Sequence, residues 1–389
     1  MALSRRSLLN SSLLLTGVGA ATAAGAGTAA AGTAPAGSAR AGTAAAAAVV
    51  ARMSLPQQVG QMIAAGVPFG SVGTAQRLMQ WYNVGTIFLA GRTSAGVGPI
   101  AADNAALQTA ATARTTAGVL EFVAVDQEGG FVQSLHGPGV SELPTALAQS
   151  GESAATIRYR AALWSRQLRR AGITLDLAPV TDVVPYDNRN ANAPIGRFQR
   201  EFGFTGPQVA AAVGPWVQGS LSAGVQPVLK HFPGLGRVTL NTDTSRRVVD
   251  ESTTRSAATE LPWRAGIAAG AGAIMVSNAV YARIDPRGQA FVSPTVIGGM
   301  IRRDLGFDGV VMTDDVGNAA AVQDVPIADR ATRFVVAGGD LLLNLDPTQI
   351  VTMRNALVGR ARVDAGFAAR VRQSATRVVA LKVRTGLAG

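Results

Sequence analysis

Eight short apolar runs, each about the length of a β-strand, constrain this chain more than anything else in it. They occupy residues 60–66, 85–89, 122–126, 174–180, 225–231, 273–277, 310–314 and 340–345. Continuous apolar runs suit strands covered on both faces, whereas a strand with one wet face alternates apolar with polar. The intervening segments carry helical periodicity, as at 153–171, 207–223, 254–269 and 294–305. Ser293 offers an N-cap for the last of these, with Pro294 at the first helical position. Eight such alternations predict the α/β class and a single-domain (β/α)8 TIM-type barrel. A doubly wound open sheet is the rival, but no Gly-x-Gly-x-x-Gly turn follows the first run to support it.

A barrel of this kind places its chemistry where its strands end. The third run ends in Asp126-Gln127-Glu128-Gly129-Gly130, and the fourth leads through Ala178-Pro179-Val180-Thr181 to Asp182. The fifth delivers Lys230 and His231 into the Pro/Gly loop Pro233-Gly234-Leu235-Gly236, the sixth ends at Ser277 and Asn278, and the seventh at Thr313-Asp314-Asp315. Carboxylates, a lysine, a histidine and an amide therefore converge on one rim. A lysine leaving a buried strand needs an internal carboxylate or a polar ligand, because an unpaired buried charge is costly.

The ends of the chain carry less chemistry. Ser4-Arg5-Arg6-Ser7-Leu8-Leu9, an apolar stretch to Ala20 and small residues beyond read as a twin-arginine signal peptide over 1–24, implying export to an extracellular or cell-wall location. Residues 25–48 are almost all Ala, Gly, Thr, Ser and Pro and read as a disordered spacer, although alanine would also permit a helix around 44–50. The barrel is expected over 49–389. The formal charge is +11, of which Arg5, Arg6 and Arg40 contribute three, leaving +8 for the barrel. Such a surplus suits an anionic cell wall. Lys and Arg look scattered and aromatics are only 5% of the chain, which argues against nucleic acid as a partner. With no cysteine, disulfides and thiolate metal sites are excluded. No metal-ligand cluster or cofactor-binding turn is evident, so neither metal nor cofactor is expected.

Four motifs together carry a family resemblance. Asp126-Gln127-Glu128-Gly129-Gly130, Ala178-Pro179-Val180-Thr181-Asp182-Val183, Lys230-His231-Phe232-Pro233-Gly234, and 305–315 ending in Met312-Thr313-Asp314-Asp315 resemble the glycoside hydrolase family 3 N-terminal domain. Within it the likeness is to single-domain bacterial β-N-acetylhexosaminidases, and it covers nearly everything after the spacer. The resemblance implies retaining hydrolysis of a terminal β-linked N-acetylglucosamine from cell-wall fragments or related glycans, with Asp314 as nucleophile and Asp315 in a loop role. It also assigns Asp126, Lys230, His231 and Arg200 to the sugar hydroxyls, with Arg197 as a nearby alternative to Arg200.

Three departures from the family pattern stand out. Its Asp-Ser-His triplet after the fifth strand, which holds the acid/base histidine, is here Asn241-Thr242-Asp243. A second arginine expected after Gly130 is missing, and Asn278 stands where a histidine often follows the sixth strand. Only His136 and His231 exist in the chain. Asp243 is therefore the candidate acid/base, since a carboxyl group is the usual glycosidase acid. The competing readings are a sugar-binding barrel that has lost its acid/base, and, more remotely, a Schiff-base lyase using Lys230.

Overall fold

A computed structural model describes residues 36–388. The expected signal peptide, and the expected spacer as far as residue 35, lie outside the described residues. All eight expected strands form: β1 (Ile63–Pro68), β2 (Thr86–Ala90), β3 (Phe122–Val125), β4 (Leu175–Asp176), β5 (Gln226–Phe232), β6 (Ala273–Val276), β7 (Val310–Thr313) and β8 (Leu342–Asn344). They pair in parallel and in chain order from β1 to β7, while β8 pairs with β1. The Met312–Leu341 bridge joins the remaining edges. The open sheet is thereby excluded.

Side-chain alternation divides the core in two. Ala64, Phe88, Ala124, Leu175, Val228, Ala273, Met275 and Met312 fill the barrel, while their strand neighbours, such as Ala65, Ile87, Val123, Ile274 and Val311, pack outward among the helices. Strands used on both faces explain why the runs are apolar along most of their length. β4 is shorter than its apolar run because Pro179 has no N–H to donate; the chain nevertheless stays beside β5, with the Leu177 amide donating to Val125 and the Val228 amide to Ala178.

The expected helices form as Ala154–Arg170, Gly206–Ser222, Ala257–Ala268 and Thr295–Asp304. Ser293 does cap the last, accepting the Val296 amide at 3.2 Å, although that segment winds as a π-helix. The spacer reading needs correction. A helix, Ala36–Ala51, reaches back into it, and its Ala46, Val49 and Val50 are buried with Val119, Ala375 and Val379. Those small side chains cannot make a core among themselves, but they can pack closely against the C-terminal helix, Ala365–Arg384, which meets them with equally small residues, Ala375 and Val379.

Candidate functional site

At the carboxyl end of the barrel a pocket of about 290 Å³ opens over an apolar floor that includes Phe88, Met275 and Leu343. Asp126, Arg200, Lys230, His231, Asp243 and Asp314, six residues spread over nearly 190 positions of sequence, all line it. Arg197 does not; its guanidinium donates to the Asn190 carbonyl at the surface, which leaves Arg200 as the arginine of the pocket. His136 is also elsewhere. Its Nδ1 lies 2.8 Å from Glu142 and its Nε2 3.0 Å from the Gln133 carbonyl.

Lys230 and His231 are successive residues of β5, yet both reach the pocket. The register of β5 against β6 shifts between Leu229 and Phe232, which breaks the alternation that would otherwise send them to opposite faces. The Lys230 ammonium lies 2.6 Å from both Asp126 and Glu128. Arg200 closes the other side of Glu128 with two parallel hydrogen bonds of 2.7 Å and donates a third to the Pro194 carbonyl. Burial would push Glu128 up, but Arg200 and Lys230 overcome it and hold its pKa down at about 2. Lys230, which burial would lower, is instead raised by Asp126 and Glu128. The result is a fixed array of two cations and two carboxylates, with 30% of the Asp126 side chain still open toward the pocket.

His231 is held differently. Its Nδ1 sits 2.8 Å from Asp182, whose other oxygen accepts the Leu235 amide at 2.7 Å. This anchors both the ring and the loop that follows β5. Gly236 makes the close approach feasible, since a Cβ there would lie 1.9 Å from the Val183 carbonyl oxygen. The Tyr281 hydroxyl donates to the Gly234 carbonyl and props the same loop from the side.

Asp314 and Asp315 follow the last residue of β7, so the alternation of the strand no longer binds them. The Asp315 carboxylate is taken up by the amides of Gly317, Asn318 and Leu345, and its carbonyl accepts from Asn278. Asp314 stays available to the pocket; one of its oxygens accepts the Asp315 amide at 2.8 Å. Burial, reinforced by Asp243 and opposed by His231 and Lys230, lifts its pKa to about 6. Asp243 is thus near enough to repel Asp314 electrostatically. It is exposed, in a turn where the Asn241 side chain accepts its amide, and the Thr242 and Asp243 carbonyls accept the amides of Ala321 and Ala320. The loop after β5 is therefore docked on the loop after β7, with Asn241, Thr242 and Asp243 all facing the pocket.

Two residues of this arrangement were not singled out as binding residues from sequence. Glu128 and Asp182 touch no open part of the pocket themselves but position Lys230, Arg200 and His231. Both lie in the quoted motifs, one in Asp-Gln-Glu-Gly-Gly and one at the end of Ala-Pro-Val-Thr-Asp, and that placement was the available signal.

Residues 54–381 match the family model described as the glycosyl hydrolase family 3 N terminal domain. A β-hexosaminidase of Stenotrophomonas maltophilia K279a is 34% identical over 249 residues, 62% of this chain and 72% of its own. The crystal structure of a β-N-acetylhexosaminidase from Beutenbergia cavernae superposes with a TM-score of 0.84 at 45% identity, covering 85% of this chain and 99% of that one. A β-N-acetylglucosaminidase from Paenibacillus sp. FPU-7 aligns at 31% identity and a TM-score of 0.77, covering 87% of this chain and 64% of its own.

Proposed function

Since this chain belongs to glycoside hydrolase family 3, we propose that it is a retaining exo-acting β-N-acetylglucosaminidase that releases terminal sugars from cell-wall fragments or related glycans. The twin-arginine pattern in the leader supports export of the enzyme to the wall or beyond. The observation that carries the catalytic reading is Asp314, held at the pocket floor between a cationic array and a second carboxylate. Asp126, Lys230 and Arg200 form the wall that grips sugar hydroxyls, the carboxylate accepting and the cations donating. His231 donates from the adjacent corner. A sugar held there presents its anomeric carbon to Asp314.

In the first step an Asp314 oxygen forms a bond to the anomeric carbon as the glycosidic bond breaks. The Asp243 carboxyl gives its proton to the departing oxygen. In the second step Asp243, now a carboxylate, takes a proton from water as the water oxygen attacks the same carbon and releases Asp314. The sugar leaves with its original configuration. The exposure of Asp243 suits this double duty, because the group must exchange a leaving group for water between steps.

Replacing Asp243 with Ala tests the assignment. Hydrolysis of substrates with poor leaving groups should fall far more than that of activated aryl glycosides, which depart without protonation. Azide should restore breakdown of the glycosyl-enzyme, since a small anion needs no general base. Equal losses on good and poor leaving groups, with no azide rescue, would return Asp243 to a purely structural place in its loop. No turnover in the wild-type protein, with sugar still bound, would make the barrel a binding protein instead.

A further inference from the structure

The positive surplus is not scattered along the chain. Residues 350–388 hold eight Arg or Lys against Asp364 alone, so the rest of the barrel, 49–349, sums to only +1. These residues form the last two helices, Ile350–Val363 and Ala365–Arg384. The second of them seals the barrel at the end opposite the pocket: Lys382 donates to the Gly85 carbonyl just before β2, and the Leu387 carbonyl accepts the Leu120 amide just before β3.

Along this helix runs a groove of about 640 Å³, bordered on its far side by Gly42 and Thr43 of the N-terminal helix. Among the described residues its charged members are Arg372, Arg377, Arg384 and Asp308. Arg377 shares the buried Asp340 at 3.3 Å and donates to the Asp308 carbonyl, and Arg384 donates to the Gly270 carbonyl. The Arg372 guanidinium has no hydrogen-bond or ion-pair partner among the described residues. Arg372 and Arg384 are both exposed. The helix lines the groove from Ala369 to Arg384, about 22 Å at 1.5 Å per residue.

A groove of this length fits a chain rather than a single ion. Among the described residues none that lines it is aromatic, so it offers no platform on which nucleic-acid bases could stack. Its concave form also gives a flat bilayer little to rest against. Arginine forks match carboxylate or phosphate groups spaced along a polymer. We propose that this groove binds an extended anionic polysaccharide, tethering the protein with its pocket facing away from the tether. The choice of polysaccharide among polyanions rests on the glycan-hydrolase reading above.

The test compares the full-length protein with an Arg372→Ala/Arg384→Ala variant for binding to carboxymethyl-dextran, with neutral dextran of equal length as control. Wild-type protein should bind only the charged polymer. The variant should bind on the order of tenfold more weakly at low salt, with a shallower dependence of affinity on salt because two counterion-releasing contacts are gone. Its hydrolysis of an aryl N-acetylglucosaminide should match wild type, which also shows that it is folded. Equal binding by both proteins would overturn the proposal, as would tighter wild-type binding to single-stranded DNA or to anionic phospholipid vesicles. A wild-type protein that binds the charged polymer but hydrolyses nothing would strike the catalytic reading while leaving the tether standing.

Discussion

The two ends of the barrel both bury charge, and they treat it in opposite ways. At the end below the strands, Asp340 is fully buried and every group around it is opposite in sign or a donor: Arg302 at 2.5 Å, Arg370 at 2.8 Å, Arg377 at 3.3 Å and the Ser374 hydroxyl at 3.0 Å. Burial alone would raise its pKa, but the three guanidinium groups hold it below the ordinary carboxylate value. At the pocket end Asp314 has one amide for company and a like charge facing it, and its pKa rises to about 6. One carboxylate is saturated and holds helices onto the barrel; the other is left short of partners at the edge of an open pocket.

That contrast breaks most visibly in rate. On the nucleophile assignment proposed for Asp314, Asp314→Asn keeps the shape of the side chain and removes its nucleophilicity, so turnover of an aryl N-acetylglucosaminide should fall by roughly three or more orders of magnitude. Sugar binding should survive, because the cationic wall is untouched. A variant retaining near wild-type turnover would move the nucleophile to another carboxylate of the rim.

The saturated end should break in stability instead. Asp340→Asn leaves three guanidinium groups around a neutral amide, and removing one partner of a buried ionic cluster typically costs about 3–5 kcal/mol. The midpoint of urea unfolding at pH 7.5 should drop accordingly, with the activity per folded molecule unchanged. A lowered folded-state pKa contributes stability that is present above the unfolded value and lost as pH falls through the folded one. The deficit of the variant should therefore shrink below about pH 4. A stable variant with impaired catalysis would contradict the division of labour between the two ends.

The same asymmetry governs what sequence could reveal. The eight strands were legible because parallel strands covered on both faces are mostly apolar, and Asp126, Lys230, His231 and Asp314 stood out as charges ending such runs. Arg200 and Asp243 came from the family resemblance, since each lies in a loop with no periodic signal. What stayed hidden depends on distant pairing. Glu128 joins Lys230 and Arg200, 102 and 72 residues away, and a carboxylate in a Gly-rich turn gives no hint of that. The Asp340 cluster draws its arginines from two separate helices. The helix at 36–51 was obscured for another reason: its alanines look like linker until the C-terminal helix provides a surface small enough in relief to pack them.

The smallest effect is also the sharpest test of the comparison. A carboxyl group whose folded pKa is raised from its ordinary value to about 6 contributes stability that is complete below the unfolded pKa and is lost as pH rises through the folded one. At neutral pH the protein therefore carries an unfavourable term at Asp314 that an isosteric amide would not. With the side chain partly open to the pocket, the full shift overstates the effect, and a gain on the order of 1–2 kcal/mol is expected for Asp314→Asn at pH 7.5. Near pH 4, where wild-type Asp314 is largely protonated in the fold, the two proteins should unfold at nearly the same urea concentration. Asp314→Asn should thus be the more stable variant at neutral pH, and Asp340→Asn the less stable one, under identical conditions. If Asp314→Asn instead lowers the midpoint at pH 7.5, the carboxylate is being stabilised by His231 and Lys230 more than burial and Asp243 oppose it. The pocket end would then hold its charge as comfortably as the sealed end does.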